Sequence, residues 1–411
     1  MATKRKISIG LLAVVLMAVS GGCRYFHKDQ QTGEVPVEEW IEATGKQFAP
    51  DSREHVWEIR AVKKDGKWLL EGATDKPDAL NALLKKLKEN KVSYKNSVKL
   101  LPEERFRSTA GVARLSVINL RKTPAHTSEL VTQLLMGMPV EILEEQNGFY
   151  RVRTPSGYLG WVDADGIILM DKENFGRWAA TPKVLVDVPY VRLLEAPDPN
   201  SKQVSDAVLN DVMALTRKDD FFDEVLLPDG RKAYVRADAV TDLEEWHYIN
   251  TELFNYADLL SHLRRNYPGI PYLWGGTSIK GMDCSGFVKN VFQNFGLLMP
   301  RDASQQFKTG KPLTINDTLG GLTPGDLLFF GQKAADGSLK ITHVAIYTGK
   351  GRIMHAAGEI KEESLLAGDS LYNDYRRKSL VGARRIFGNY NRWIYPYYTA
   401  EAVKIYFHSG R

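Results

Sequence analysis

Sliding the 411-residue chain along itself by 73 positions lays "FYRVRTPSGYLGWVDADGI" over "FDEVLLPDGRKAYVRADAV". Phe149 then meets Phe222, Pro155 meets Pro228, Gly157 meets Gly230, Val162 meets Val235 and Asp165 meets Asp238. Upstream, "NLRKTP" lies against "YVRLLEAP" at an offset two residues shorter, so a small insertion separates the halves. Each copy alternates short apolar strands with Pro-Ser-Gly or Pro-Asp-Gly turns, the pattern of a small β-barrel. Two barrels are therefore expected, over residues 109–172 and 182–243.

The flanks are organised differently. The chain is longer than one core supports, and 43% hydrophobic residues suffice for several packed units. Over residues 51–108, "HVWEIRAV" and "KWLLEGAT" alternate or run apolar, and Leu80, Leu83, Leu84 and Leu87 share one helical face. That pattern predicts a small α/β region with no legible function. Residues 24–50 are polar and mixed, and are expected to form a tether.

At the start, a basic "KRK" precedes the apolar run "IGLLAVVLMAV", then "SGG" and Cys23. The run is too short for a comfortable bilayer span and reads as an export segment. Residues 1–23 resemble a bacterial lipoprotein signal, which implies a lipidated Cys23; a plain signal peptide with an incidental cysteine is the alternative. Acyl chains there would tether the protein to a membrane, placing it in the cell envelope and facing the periplasm. Lys4, Arg5 and Lys6 carry three of the net +5 charges, so the remainder is nearly balanced and no nucleic-acid partner is expected. With Cys23 lipidated or removed, Cys284 is a lone thiol, which excludes a disulfide architecture.

In "MDCSGFVKNVFQNFG", Phe287, Val291, Phe292 and Phe295 recur at helical spacing, Asp283 suits an N-cap and Gly296 a stop. Cys284 falls in the first helical turn, where unpaired N–H groups and the dipole favour a thiolate and can hold an oxyanion. A structural cysteine belongs on the apolar stripe instead. "ITHVAIYTGKGRIMHAAG" reads as a hairpin, and a turn centred on Gly349 sets His343 opposite His355, with Cβ atoms about 5 Å apart. One imidazole then orients the other. A one-residue slip would break that pairing and leave two solvated histidines.

With "PYLWGG", "DCSGFV", "PRDASQQ", "PGDLLFF", "THVAIYTG" and "RIMHAAG" in order, the stretch from Phe254 to Tyr395 resembles the NlpC family of cell-wall cysteine peptidases. The resemblance implies a papain-like catalytic domain over 250–397, completing a multidomain α+β chain. It implies Cys284 as nucleophile, His343 as general base, His355 as orienter of that base, and Tyr272 lining the thiol's pocket. No metal or other cofactor is called for, and one cysteine with these two histidines matches no zinc spacing.

The repeats resemble bacterial SH3-like domains, with "GYLGWV" the closest segment, which implies binding or positioning modules or simple spacers. Family members cut peptidoglycan stem peptides between γ-linked D-glutamate and the following diamino acid. Tandem SH3-like domains ahead of the peptidase resemble a dipeptidyl-peptidase subgroup that requires a free L-Ala amine. That likeness implies Asp283 holding the amine and Ser285 and Ser304 touching substrate, with Tyr158 and Glu129 of the first barrel completing the pocket. Asp283 is equally a helix cap, Tyr158 equally a barrel core residue, and Arg301 reads as structural. The expected partners are stem peptides or muropeptides, taken by a monomer. A catalytically idle envelope-binding lipoprotein, and an amidase or acyltransferase on the same fold, are the competing readings.

Overall fold

The computed structural model describes residues 36–407, so the export segment, Cys23 and the first part of the expected tether lie outside the described residues. The rest of that tether is folded. Residues Val37–Phe48 form a helix that buries Val37 and Ile41 against Leu80, Leu83 and Leu87 of the helix Pro77–Glu89. The apolar spacing there spans only two turns between charged residues, too short to stand out, and packing completes it. Beneath the two helices lies a three-stranded sheet, with Arg60–Lys64 antiparallel and Tyr94–Leu100 parallel to Lys67–Thr74.

The sequence repeat is a structural repeat. Strands Phe149–Arg153 and Leu159–Asp163 lead into the one-turn helix Ala164–Gly166, as Phe222–Leu226 and Lys232–Arg236 lead into Ala237–Ala239. Each copy is a curled seven-stranded sheet around its own core, with Leu120, Ile142, Val152 and Val162 inside the first and Val191, Leu193, Val225 and Val235 inside the second.

The last domain is a six-stranded antiparallel sheet whose central strands are Leu327–Lys333 and Leu339–Gly349. Helix Cys284–Asn294 lies across it, burying Phe287, Val288, Val291 and Phe292 against Phe329, Val344, Ile346 and Met354. Each such fully buried side chain stabilises by about 1.5–3 kcal/mol, enough to hold the helix start rigidly over the sheet. The helix ends where the stop was expected, with Gly296 at φ +80° just beyond it.

Candidate active site

The helix start is fixed by Asp283, extended at φ −87° and ψ −179°, whose carboxylate accepts the Gly286 N–H at 2.7 Å. Two glycines allow its surroundings to close in. A Cβ on Gly286 would lie 2.0 Å from the Gly276 carbonyl oxygen, and one on Gly275 (φ +81°) 2.2 Å from that of Leu130 in the first barrel. Loop, helix and barrel therefore meet around Cys284, which is 8% exposed and opens on a cleft of about 970 Å³.

His343 lines the same cleft. The backbone N–H groups of its neighbour Val344 and of Ser285 lie near enough to the Cys284 sulfur to favour its charged form, which puts the thiol beside the histidine strand. The hairpin register differs from the expected one. Ile346 pairs with Met354 and Tyr347 with Ile353, with a bulge before Gly349, two residues away from an alignment centred on that glycine. His343 and His355 are then diagonal rather than opposed. A shift of two keeps both on one sheet face, so the rings still meet: His343 Nε2 and His355 Nδ1 are 2.8 Å apart, with the ring planes at 83°.

Burial works against the thiolate expected at the helix start. Burial above all, and then the Asp283 charge, push the Cys284 thiol up to about 11; the two N–H groups and Arg301 act the other way and are outweighed. Burial likewise pushes His343 down to about 2, with Arg376 and His355 adding to it. Both shifts favour a thiol beside a neutral imidazole, and a neutral imidazole is the form that can take a proton. Ionisation therefore has to accompany attack on the carbonyl.

All six sequence-predicted substrate contacts face the cleft: Asp283, Ser285, Tyr272, Ser304, Tyr158 and Glu129. Their partners divide them. The Asp283 carboxylate receives Gly286 N, Ser285 Oγ and Arg301 Nη1 on one oxygen, and Gly275 N and Arg301 Nη2 on the other. It is a cap and a buried ion-pair partner with its lone pairs occupied. Ser304 accepts from Arg53 at 3.1 Å, and Tyr158 donates to Asp302 at 3.3 Å. Glu129 accepts the Trp274 indole N–H at 2.9 Å and otherwise faces the cleft beside Lys122 at 3.4 Å. Tyr272 is pushed up to about 12, by burial first and by the nearby Cys284 next, so its hydroxyl stays protonated as a donor.

Two residues were missed, and a third was read too narrowly. Arg301 is 2% exposed and does more than hold the fold: it neutralises Asp283 at 2.6 Å in the cleft wall and donates to the Val131 carbonyl of the first barrel. Its place in "PRDASQQ", among segments already singled out, was the available signal. Arg53 comes from the region with no legible function, pairs with Asp302 at 2.7 Å and lines the cleft; no local pattern announces it. Glu363 lies behind His355, with its Oε2 3.1 Å from His355 Nε2. The hairpin turn at Gly358, which pairs His355 with Lys361, was the signal for it.

Comparison with known proteins agrees with this geometry. The NlpC/P60 family model matches residues 269–385 and the bacterial SH3 domain model residues 116–168. A γ-D-glutamyl-L-lysine dipeptidyl-peptidase of Bacillus cereus is 30% identical over 239 residues, covering 56% of this chain and 68% of that protein. The chain belongs to the NlpC/P60 family. Dipeptidyl-peptidase 6 of Lysinibacillus sphaericus is 29% identical over 277 residues, 66% of this chain and 96% of that one. A crystal structure of an NlpC/P60 family protein from Bacillus cereus superposes with TM-score 0.57 at 25% identity, covering 67% of this chain and 99% of the other. An NlpC/P60 endopeptidase from Photobacterium damselae shares the fold over 84% of this chain and 89% of its own, with TM-score 0.52 at 14% identity. The family's chemistry makes this chain a hydrolase of the cysteine-peptidase class.

Proposed function

We propose that this family member hydrolyses peptidoglycan stem peptides at the bond between γ-D-glutamate and the diamino acid, releasing L-Ala-γ-D-Glu from peptides with a free N-terminal amine. One observation carries the reading: the wall bearing Cys284 and His343 faces, across a single cleft, a wall built by the first barrel and the N-terminal region, with Glu129, Tyr158 and Arg53 on it. A cleft walled across this way suits the end of a short peptide better than the middle of a polymer. Glu129 has carboxylate capacity left for an ammonium group, whereas Asp283 is saturated by Arg301 and three other donors.

Attack by the Cys284 sulfur as His343 takes its proton, and return of that proton to the departing amine, form a thioacyl-enzyme and expel the diamino acid; water then releases the dipeptide. In this reading, N–H groups at the helix start not already bound to Asp283 serve as donors for the oxyanion. Mass spectrometry of L-Ala-γ-D-Glu-L-Lys or its diaminopimelate analogue, with the amine free or acetylated, tests the proposal. The free peptide should yield dipeptide and the acetylated one essentially none, because acetylation removes the charge and fills the closed end. Equal turnover of both would refute the exopeptidase reading.

The first residues support the further proposal of an exported, periplasm-facing lipoprotein acylated at Cys23, on the basis of the basic flank, the apolar run and the small residues before the cysteine. Intact mass of protein extracted from membranes should show acyl chains that Cys23→Ser abolishes. An unmodified wild-type cysteine would end that reading.

A further inference from the structure

His355 is fully buried, and its Nε2 has no well-aligned hydrogen bond in the resting structure. The Glu363 carboxylate stands 3.1 Å away, close enough that a small ring rotation completes the bond. A protonated ring nitrogen sealed from water needs an acceptor, and an ionised carboxylate can only accept. Glu363 is held in turn. Asn373 Nδ2 donates to the same Oε2 at 2.8 Å, while Asn373 Oδ1 caps the helix Asp374–Ser379 by accepting the Arg376 N–H. Lys361 approaches the other oxygen at 3.3 Å.

We propose that Glu363 is a positioning residue that sets the tautomer of both histidines and thereby leaves His343 Nδ1 free to take the Cys284 proton. The inference rests on reading Cys284 as nucleophile and His343 as base. The steps follow from donor and acceptor counting. Because Glu363 accepts, the proton on His355 sits on Nε2, and His355 Nδ1 keeps its lone pair. His343 Nε2, 2.8 Å from that lone pair, must then be the donor, so the proton of neutral His343 is on Nε2 and Nδ1 is the basic atom. Reversed, the chain would put a proton on His343 Nδ1, and the ring could not accept one from the thiol.

The charges around the pair show why a carboxylate is needed. Arg376, from the helix after Asn373, disfavours the charged form of both rings, and Lys361 disfavours that of His355. Glu363 is the group acting in the opposite sense on each. It stays ionised, pushed down to about 2 by its contact with His355 first and despite partial burial. Once His343 has taken the thiol proton, the same carboxylate stabilises the imidazolium through His355.

Glu363→Ala and Glu363→Gln, each with histidine-selective nitrogen-15 labelling, test the proposal. In the wild type, the spectra should show His355 protonated at Nε2 and His343 unprotonated at Nδ1. Glu363→Ala should give mixed tautomers and lower kcat by about 10- to 100-fold with KM nearly unchanged, as expected when a general base loses its orientation. Glu363→Gln, whose amide oxygen can take the place of Oε2, should keep the wild-type tautomers and recover part of kcat. It also serves if the alanine variant does not fold. The tautomers need no substrate, so they test Glu363 even if the stem-peptide reading fails. A folded Glu363→Ala protein with wild-type tautomers, or with wild-type kcat, would overturn it.

Discussion

Cys284→Ala should lose at least about a thousandfold in kcat on free-amine stem peptides while melting within a few degrees of the wild type. The two halves of that expectation have separate causes. Without the sulfur, no acyl-enzyme can form, and what remains is whatever the cleft does by binding and polarising the substrate, which in other nucleophile knock-outs is a small residue of the original rate. The fold, by contrast, scarcely depends on the sulfur. The helix start is capped by Asp283 rather than by the thiol, its apolar stripe begins at Phe287, and losing one atom at the edge of a cleft leaves no sealed cavity. Product analysis and thermal unfolding on the same preparation check both. Dipeptide release at the wild-type rate by a folded Cys284→Ala protein would remove the nucleophile from its assigned role.

Stability should fall steeply as the pH drops from 6.5 to 4.5. Burial is the leading cause pushing His262 down to about 4 and His343 down to about 2, and it also lowers His247, and His355 despite the opposing contact with Glu363. Unfolded histidines titrate near pH 6.5, so below that value the unfolded chain binds protons that these folded side chains refuse. Their neutral folded state costs nothing above about pH 6.5, and stability is lost as the pH falls toward the folded values. Asp211, wholly buried between the barrels, runs the other way, because burial keeps it protonated in the fold while the unfolded carboxylate is ionised. Lys183, pushed down to about 7, and Lys289, pushed down to about 8, are essentially charged in both states by pH 6 and add no slope below it.

His262 and His343 each leave close to one proton's difference between the two states, roughly 1.4 kcal/mol per pH unit apiece, with His247 and His355 adding in the same direction and Asp211 opposing. Total stability for a domain is on the order of 5–15 kcal/mol, so two pH units consume much of it. Melting temperatures measured across that range should decline throughout. A flat profile from pH 6.5 to 4.5 would mean that the histidines are hydrated in solution, and the dry relay behind Cys284 would go with them.

How legible the protein was depended on the range over which each feature is decided. The two barrels could be read because Pro-Ser-Gly and Pro-Asp-Gly turns and alternating strands are written locally, and twice. The helix start at Cys284 could be read because an N-cap and an apolar stripe are also local. The two histidines came out on one face even though the register was misplaced by two, because the side-chain period of a strand is two and the bulge at the turn preserved parity. The short helix Val37–Phe48 went unread because two apolar turns among charges become a buried face only when Leu80 and Leu83 arrive to cover them.

Sequence alone therefore determined which side chains were available for the chemistry, and that sulfur, imidazoles and barrel residues belong to one catalytic unit of a recognisable kind. Tertiary structure decided how they are held and charged. Arg53 reaches Asp302 across 249 positions, Arg301 occupies the carboxylate expected to hold an amine, and Glu363 stands behind the histidine pair. Burial pushes the thiol toward its protonated form for the same reason: desolvation depends on what surrounds an atom in space, and a helix dipole read from sequence cannot show how strongly burial opposes it.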